Sequence, residues 1–439
     1  MCKELVIIGA GLAGSEAAWQ AAERGVEVVL YEMRPARMTE AHTSSLFGEL
    51  VCSNSLRSND PHSAPGLLKR ELYEAGSLIM KAAEASSVPA GSALAVDRDL
   101  FAGYITEKLS GHEHIRVIRE EVTALPDSAA IIATGPLTSE RMTAAISVLT
   151  GSGYLYFYDA IAPILDYESL DYNKVYRMSR YGKGGEDYLN CPMNREEYER
   201  FYREILDAEK VNPRGFEEKK VFEGCMPIEV MASRGFDTMR FGPMKPVGLS
   251  DPKTGREPFA VVQLRSENRE MTAYNMVGFQ TRLKWPEQKR VFCMIPGLEH
   301  AEFLRYGSIH RNTFINAPIL LGKDLSHQQR PDLFFAGQIT GVEGYIESTA
   351  MGLVAGINAA LRLKGAYIPP VPPETAHGAL IRHITDSDSR HFQPSNINFG
   401  LFPLPASLEK MRDKKMKKVR IAELALAAWK SYLGEVGAA

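Results

Sequence analysis

Residues 5–32, Leu5-Val-Ile-Ile-Gly9-Ala-Gly11-Leu-Ala-Gly14-Ser-Glu-Ala-Ala-Trp-Gln-Ala-Ala-Glu-Arg-Gly25-Val-Glu-Val-Val-Leu-Tyr-Glu32, read as strand, glycine turn, helix and strand in succession. Glu4 to Ile8 ends in an unbroken apolar run, the pattern of a strand covered on both faces. Gly9, Ala10, Gly11, Leu12, Ala13 and Gly14 form the turn. The alanine-rich stretch SEAAWQAAERG predicts a helix ending at Gly25, and Val26 to Tyr31 predicts a second strand. Glycines at these spacings permit a tight turn and let backbone amides approach a pyrophosphate at the positive end of the helix. Glu32 stands 18 residues beyond Gly14, about where an acid accepts hydrogen bonds from a ribose. The spacing therefore predicts a bound dinucleotide.

Two later segments favour FAD over NAD. Ala129-Ala-Ile-Ile-Ala-Thr-Gly135 reads as a strand ending in Ala-Thr-Gly, resembling the second dinucleotide strand of two-dinucleotide-fold flavoproteins. Leu333-Phe-Phe-Ala-Gly337 is another buried strand, followed by the glycine-spaced helix of TGVEGYIESTAMGLVAGINAALRL. In such flavoproteins this late strand and helix return to the first domain, and the helix N-terminus favours electron density on a reduced isoalloxazine. No second complete GxGxxG follows a strand; GKGGED at 182–187 reads as a loop. A nicotinamide reductant must then visit the flavin itself.

The expected fold is α/β: an FAD-binding Rossmann-like domain of the two-dinucleotide-fold type, carrying an inserted mixed α/β domain. Residues 1–150 form its first part, 151–299 the insert, 300–370 the return segment and 371–439 a C-terminal helical segment. The insert carries the helix EEYERFYREILDAEK and the strands AVVQLRSEN and AYNMVGFQTRL.

Composition narrows the function classes. With 439 residues, 45% hydrophobic and 24% charged, the chain can bury more than one core. A net charge of −3 gives no global basic field, so any nucleic acid needs a local patch. One such patch begins the last helical stretch: Lys410, Arg412, Lys414, Lys415, Lys417, Lys418 and Arg420 stand against Glu409 and Asp413. The first apolar run is too short and too soon broken by glycine for a signal peptide, and no apolar stretch is long enough to span a membrane. A cytoplasmic protein is expected. Five cysteines, none in a Cys-x-x-Cys pair, argue against a zinc ribbon or a disulfide framework, so no metal is expected.

The thiols differ in setting. Cys2 and Cys293 read as small buried hydrophobes, and Cys191 in YLNCPM is ambiguous. Cys52 stands among Ser53, Asn54, Ser55 and Asn59, donors suited to a substrate amide or a thiolate; Cys225 precedes Met-Pro ahead of a helix. Asp97 reads as a helix cap ahead of a catalyst, and Arg98 has the reach for the flavin or its phosphates but is not assigned to it. Tyr345 reads either as a ring stacked on isoalloxazine or folate or as core. His310 and Arg311 suit an anionic tail or a surface loop. Trp285 reads as a core tryptophan or a base-stacking ring.

A resemblance orders these alternatives. ELVCSNSLRSN (49–59), FEGCMPIEVMA (222–232), VGFQTRLKWPEQK (277–289), RYGSIHRNTFINAP (305–318) and FFAGQITGVEGYIES (334–348) are similar to the folate- and FAD-dependent tRNA uracil-5-methyltransferases. The likeness spans nearly the whole chain, departing at Gly48, Ser92 and in the STAMG run (348–352). It implies that C5 of the T-loop uridine, position 54 of tRNA, becomes 5-methyluridine. The family takes carbon from 5,10-methylenetetrahydrofolate through FAD, with NADPH or NADH as reductant. It also implies that Cys52 and Cys225 are the functional thiols. A related branch methylates ribosomal RNA, and the residues alone leave room for a flavin oxidoreductase acting on a small metabolite. Oligomeric state is not legible.

Overall fold

Near-continuous apolar segments build a six-stranded sheet whose order is Ser326–His327, Arg330–Phe335, Ala130–Ile132, Leu5–Ile8, Val28–Tyr31 and Ile115–Ile118. All neighbours run parallel except the short Ser326–His327 edge strand. This computed structural model describes residues 4–151, 155–182, 185–212, 226–403, 408 and 411–437, with side chains masked at 155–159, 310 and 311.

The first helix, Leu12–Ala22, begins inside the glycine turn, three residues before the alanine-rich stretch, and stops short of Gly25. Turn amides open at the end of a strand can take helical geometry at once. The strand expected at Val26 starts at Val28. The late strand, Arg330–Phe335, pairs with Ala130–Ile132 in parallel, so the chain does return to the first sheet. Its helix, Tyr345–Lys364, crosses Leu12–Ala22 at very close range. A Cβ at Gly352 would lie 2.2 Å from the Ala13 carbonyl oxygen, and one at Gly356 would lie 2.6 Å from that of Ala17. Those two glycines, one helical turn apart, set the approach of the two helices.

A second sheet is antiparallel, ordered Tyr176–Arg177, Tyr188–Met193, Ala260–Ser266, Ala273–Met276, Ile164–Asp166 and Phe303–Arg305. Its central strand is Ala260–Ser266, buried along its whole length. The expected strand AYNMVGFQTRL is shorter, because the chain leaves the sheet at Met276 and turns at Gly278. The predicted helix spans Arg195–Asp207 and opens on a capping box of Asn194 and Glu197. A two-stranded ribbon, Leu155–Ala160 with Ile309–Phe314, runs between the two sheets. It reaches the first through the Thr313 amide on Pro136; at its other end the Ile161 amide on Ser308 extends the ribbon, and the Ile161 carbonyl accepts from the Thr281 amide at 3.4 Å.

The C-terminal region supplies helices Ala376–Asp386 and Lys414–Gly437. Trp429 anchors the last one: its indole N–H donates to the Glu71 carbonyl at 2.7 Å, and its ring stacks on buried His377 at 4.1 Å. Of GKGGED, residues 183–184 lie outside the described residues.

Candidate active site

A cleft opens at the carboxyl ends of the parallel strands, the place where open α/β sheets take ligands. Gly9, Gly11, Leu12, Ala13, Glu32, Gly337 and Tyr345 all line it. Ala10 and Gly14 do not line it. A Cβ at Gly14 would come within 1.8 Å of the Gly9 carbonyl oxygen, so turn and helix close only with glycine there. At Gly11 a Cβ would meet nothing within 4 Å, because that face looks into the cleft. The helix N-terminus behind it offers unpaired amides to an anion.

Glu32 lies at the cleft wall with its carboxylate already engaged. Oε2 accepts from the Ala10 amide at 3.0 Å, and Oε1 accepts from the Arg34 amide at 3.0 Å and from Nε at 2.9 Å. Burial would raise its pKa, but the Arg34 bonds and charge outweigh that and hold it below the usual range. Arg34 also reaches Glu49 at 3.1 Å. His42 joins the wall; burial and the Arg34 charge push it down to about 4, so it is neutral at pH 7. The sequence singles out neither Arg34 nor His42, and Glu49 enters only as the first residue of the ELVCSNSLRSN motif, with no role attached.

Cys52 stands where the two sheets meet, half-buried and free. Its amide donates to the Tyr345 hydroxyl at 2.7 Å, and the Ser53 amide donates to the same oxygen at 3.1 Å. Burial pushes the Tyr345 phenol up, so it stays protonated. The Cys52 thiol lies 3.7 Å from the Ala160 carbonyl oxygen on the linking ribbon. From the antiparallel sheet, Arg265 donates to Ser53 Oγ at 3.0 Å and to Asn54 Oδ1 at 2.9 Å, while Asn54 donates to Val96 and Ser266. Arg98 pairs with Glu267 and donates to the Leu50 carbonyl. Arg305 faces Cys52, Tyr345 and Glu49 electrostatically and donates to Ala41 at 3.1 Å. Leu50, Cys52, Ser53 and Asn54 are thus each held by another part of the fold.

Tyr345→Phe leaves two backbone donors without their acceptor. The expected loss is about 1–2 kcal/mol of stability. Thermal melts of the flavin-free protein check it, and an unchanged midpoint would show that the hydroxyl does not hold the loop.

Other candidates take varied places. Cys225 and Cys2 lie outside the described residues. The neighbour of the first, Met226, clusters with Val230 and Ile309, and Ile309 is the strand partner of Ala160. Cys191 is fully buried, which pushes its thiol pKa up. Cys293 is only half-buried, because it caps the helix Trp285–Phe292 instead of lying within the core. Asp97 caps Arg98–Ser110 as expected. The side chains of His310 and Arg311 lie outside the described residues, as does Lys410. Trp285 is not core: its ring is 63% exposed.

Among the described residues no group of three or more His, Cys, Asp or Glu side chains could hold a metal ion. Among them, too, no helix is long and apolar enough to cross a membrane.

Comparison with known proteins agrees with this arrangement. Two crystal forms of Aquifex aeolicus GidA superimpose with a TM-score of 0.69 at 17% and 18% identity, covering 97% and 99% of this chain and 73% and 78% of theirs. They establish the fold. Residues 4–367 match the family described as Glucose inhibited division protein A. A protein of Geobacter sulfurreducens named methylenetetrahydrofolate–tRNA-(uracil-5-)-methyltransferase TrmFO is 59% identical over 438 residues, 99% of this chain and 100% of its own. One of the same name from Natranaerobius thermophilus is 59% identical over 430 residues, 98% of this chain and 99% of its own. The chain belongs to the GidA family and, within it, to the TrmFO methyltransferases.

Proposed function

We propose that this protein is an enzyme that methylates C5 of the T-loop uridine, position 54 of tRNA, in the cytoplasm, with 5,10-methylenetetrahydrofolate as carbon donor. The observation that carries the reading is 59% identity along essentially the full chain to proteins named for that activity. FAD fits the cleft: the open face of Gly11, the helix N-terminus and the backbone around Gly9 suit a pyrophosphate. Gly9 to Gly14, Glu32, Gly337 and Tyr345 are the residues that would hold it. Bound there and reduced by NADPH or NADH, FAD supplies the carbon-transfer site and the hydride that completes the methyl group.

The chain's own part is proton and thiol chemistry. Uracil C5 is a poor nucleophile until a thiolate adds at C6 and places the electron pair on C5. Cys225 makes that bond. C5 then takes the one-carbon unit, and Cys52, fixed by Tyr345 beside the cleft, removes the C5 proton as general base. The electron pair so released expels the carrier from that carbon and leaves an exocyclic methylene on the ring, to which the hydride adds. Expulsion of the Cys225 thiolate as hydride arrives restores the ring. Of the division into 1–150, 151–299, 300–370 and 371–439, the separateness of the insert is supported by two cores: one runs from Leu5 to Ile146 and resumes from Phe314 to Val436, the other runs from Leu165 to Ala301, a few residues past the expected end of the insert. Incubation with unmodified tRNA, methylenetetrahydrofolate and NADPH, followed by nucleoside analysis, should yield 5-methyluridine. A product only with ribosomal RNA, or none with either RNA, overturns the reading.

The lysine stripe of the last helix is the RNA contact we expect to be most salt-sensitive. Among the described residues Lys414, Lys415 and Lys417 have no ion-pair partner, and Lys418 lies over the Phe399 ring. The nearby Ser395–Ile397 segment bonds to Gly341, Glu343 and Glu347 at the head of the Tyr345 helix. Neutralising three lysines should lower the log–log salt slope of tRNA binding by about 3. An unchanged slope removes this helix from the interface.

A further inference from the structure

Trp285 is one of three tryptophans and the exposed one. Trp429 is fully buried, and Trp19 is half-buried with Lys81 over its ring at 5.0 Å. A lone exposed apolar side chain is ordinary, but tryptophan and tyrosine rings stacked into one exposed group are of the kind enriched at interfaces. The Trp285 ring stacks on Tyr306 at 5.5 Å with planes 14° apart, and Tyr306 stacks on Phe303 at 4.9 Å and 5°. Three parallel rings thus form a short column whose outer face is open.

The column is preorganised. Buried Gln288, one turn along the Trp285 helix, donates to the Gly307 and Leu283 carbonyls at 2.9 and 2.7 Å and accepts from the Gly307 amide at 2.8 Å. Helix and Tyr306 segment are therefore one piece. That piece adjoins the thiol. Two residues beyond Tyr306 the Ser308 carbonyl accepts from the Ile161 amide at 2.7 Å, and the carbonyl of the adjacent Ala160 lies 3.7 Å from the Cys52 thiol. On its other side, Thr281 and the Arg282 amide bond to buried Glu229, in the helix that follows Cys225.

A uridine attacked at C5 and C6 must leave its stack, which unpairs and unstacks its neighbours. The target base itself has to lie at the thiol, so the open ring is available to a base beside it. We infer that Trp285, at the end of the Tyr306–Phe303 column, stacks on a nucleobase adjacent to the target uridine and holds the RNA strand open at the active site. The inference rests on the tRNA reading above. Stacking is indifferent to base identity, because each base presents a π face, and the ring acts as a positioning residue.

The flavin-loaded full chain tests it with a tRNA transcript. Trp285→Ala should raise the tRNA KM about 5- to 150-fold, the range for loss of one base–aromatic stack, and leave kcat at saturating tRNA within about twofold. Trp285→Phe should recover most of the affinity. Tryptophan emission quenched by tRNA in the parent should lose that quench in Trp285→Phe, a signal that a purely structural role would not produce. Flavin absorbance and melting temperature equal to the parent's guard against misfolding. An unchanged KM in Trp285→Ala, with the parent methylating tRNA, overturns the inference and spares the function. Concentration-dependent self-association lost in Trp285→Ala without a KM change assigns the ring to a protein interface and also overturns it. A parent that neither binds nor methylates tRNA removes the function and the inference together.

Discussion

Cys225→Ala should form no covalent complex with a tRNA mini-helix containing 5-fluorouracil and should lose methylation by about 10⁴-fold or more, the scale on which removal of a catalytic nucleophile is felt. The fluorine at C5 cannot depart as a proton does, so an adduct that has formed at C6 stays formed. Only the attacking sulfur is needed for that trap; the base that works at C5 is not. Cys52→Ala should therefore still give the protein–RNA band while turning over poorly. The proposed assignment rests on the setting of Cys52 and on the described residue next to Cys225. Cys52 hangs from the Tyr345 hydroxyl at the head of the helix that borders the cleft, so it serves the face of the base nearest the flavin. Met226, the described neighbour of Cys225 in sequence, packs with Val230 and Ile309, and Ile309 lies opposite Ala160 in the ribbon. Approach from that side leaves the other face of the uracil for the incoming carbon. A persistent adduct in Cys225→Ala that vanishes in Cys52→Ala reverses the two roles. Adducts lost in both would mean that neither thiol acts without the other.

The glycine turn was legible because its chemistry is local. Gly14 meets the Gly9 carbonyl and Gly11 opens on the cleft, both within the first βαβ unit, so spacing carries their meaning, although Gly9 also packs against Ala133 at the end of a later strand. The return of Arg330–Phe335 was legible for a related reason: a buried strand ending in glycine ahead of a small-residue helix has few places to pack. The cations around Cys52 were hidden. Arg265 and Arg305 come from two strands of the other sheet, and each reads in sequence as an ordinary strand residue. Trp285 misled for the opposite reason. Its apolar bulk suggests a core, yet its partner Tyr306 lies 21 residues later and covers only one face. Glu32 illustrates the middle case: its position was readable, but Arg34, two residues on, occupies its carboxylate, and that pairing depends on how tightly the chain turns after the strand.

Gly11→Leu should purify folded and colourless. The substitution separates two demands that glycine meets in this turn. At Gly14 any side chain collides with the Gly9 carbonyl oxygen, 1.8 Å from the added Cβ, so Gly14→Val should break the turn and the protein with it. At Gly11 the added Cβ meets no protein atom within 4 Å, and φ of −70° suits any residue. The leucine should then be accommodated by the polypeptide and fill the space that the pyrophosphate needs, in front of the helix amides. Flavin absorbance per mole of protein should fall at least about tenfold. The thermal midpoint should fall only as far as that of the parent stripped of flavin, because the stabilisation lost is that of a ligand which binds the native state alone. Adding free FAD should raise the midpoint of the stripped parent and leave Gly11→Leu unmoved. A variant as yellow as the parent places the pyrophosphate elsewhere. One that melts well below the stripped parent gives Gly11 a structural duty that its open surroundings do not predict, since space at a Cβ position is what distinguishes a glycine kept for a ligand from one kept for the fold.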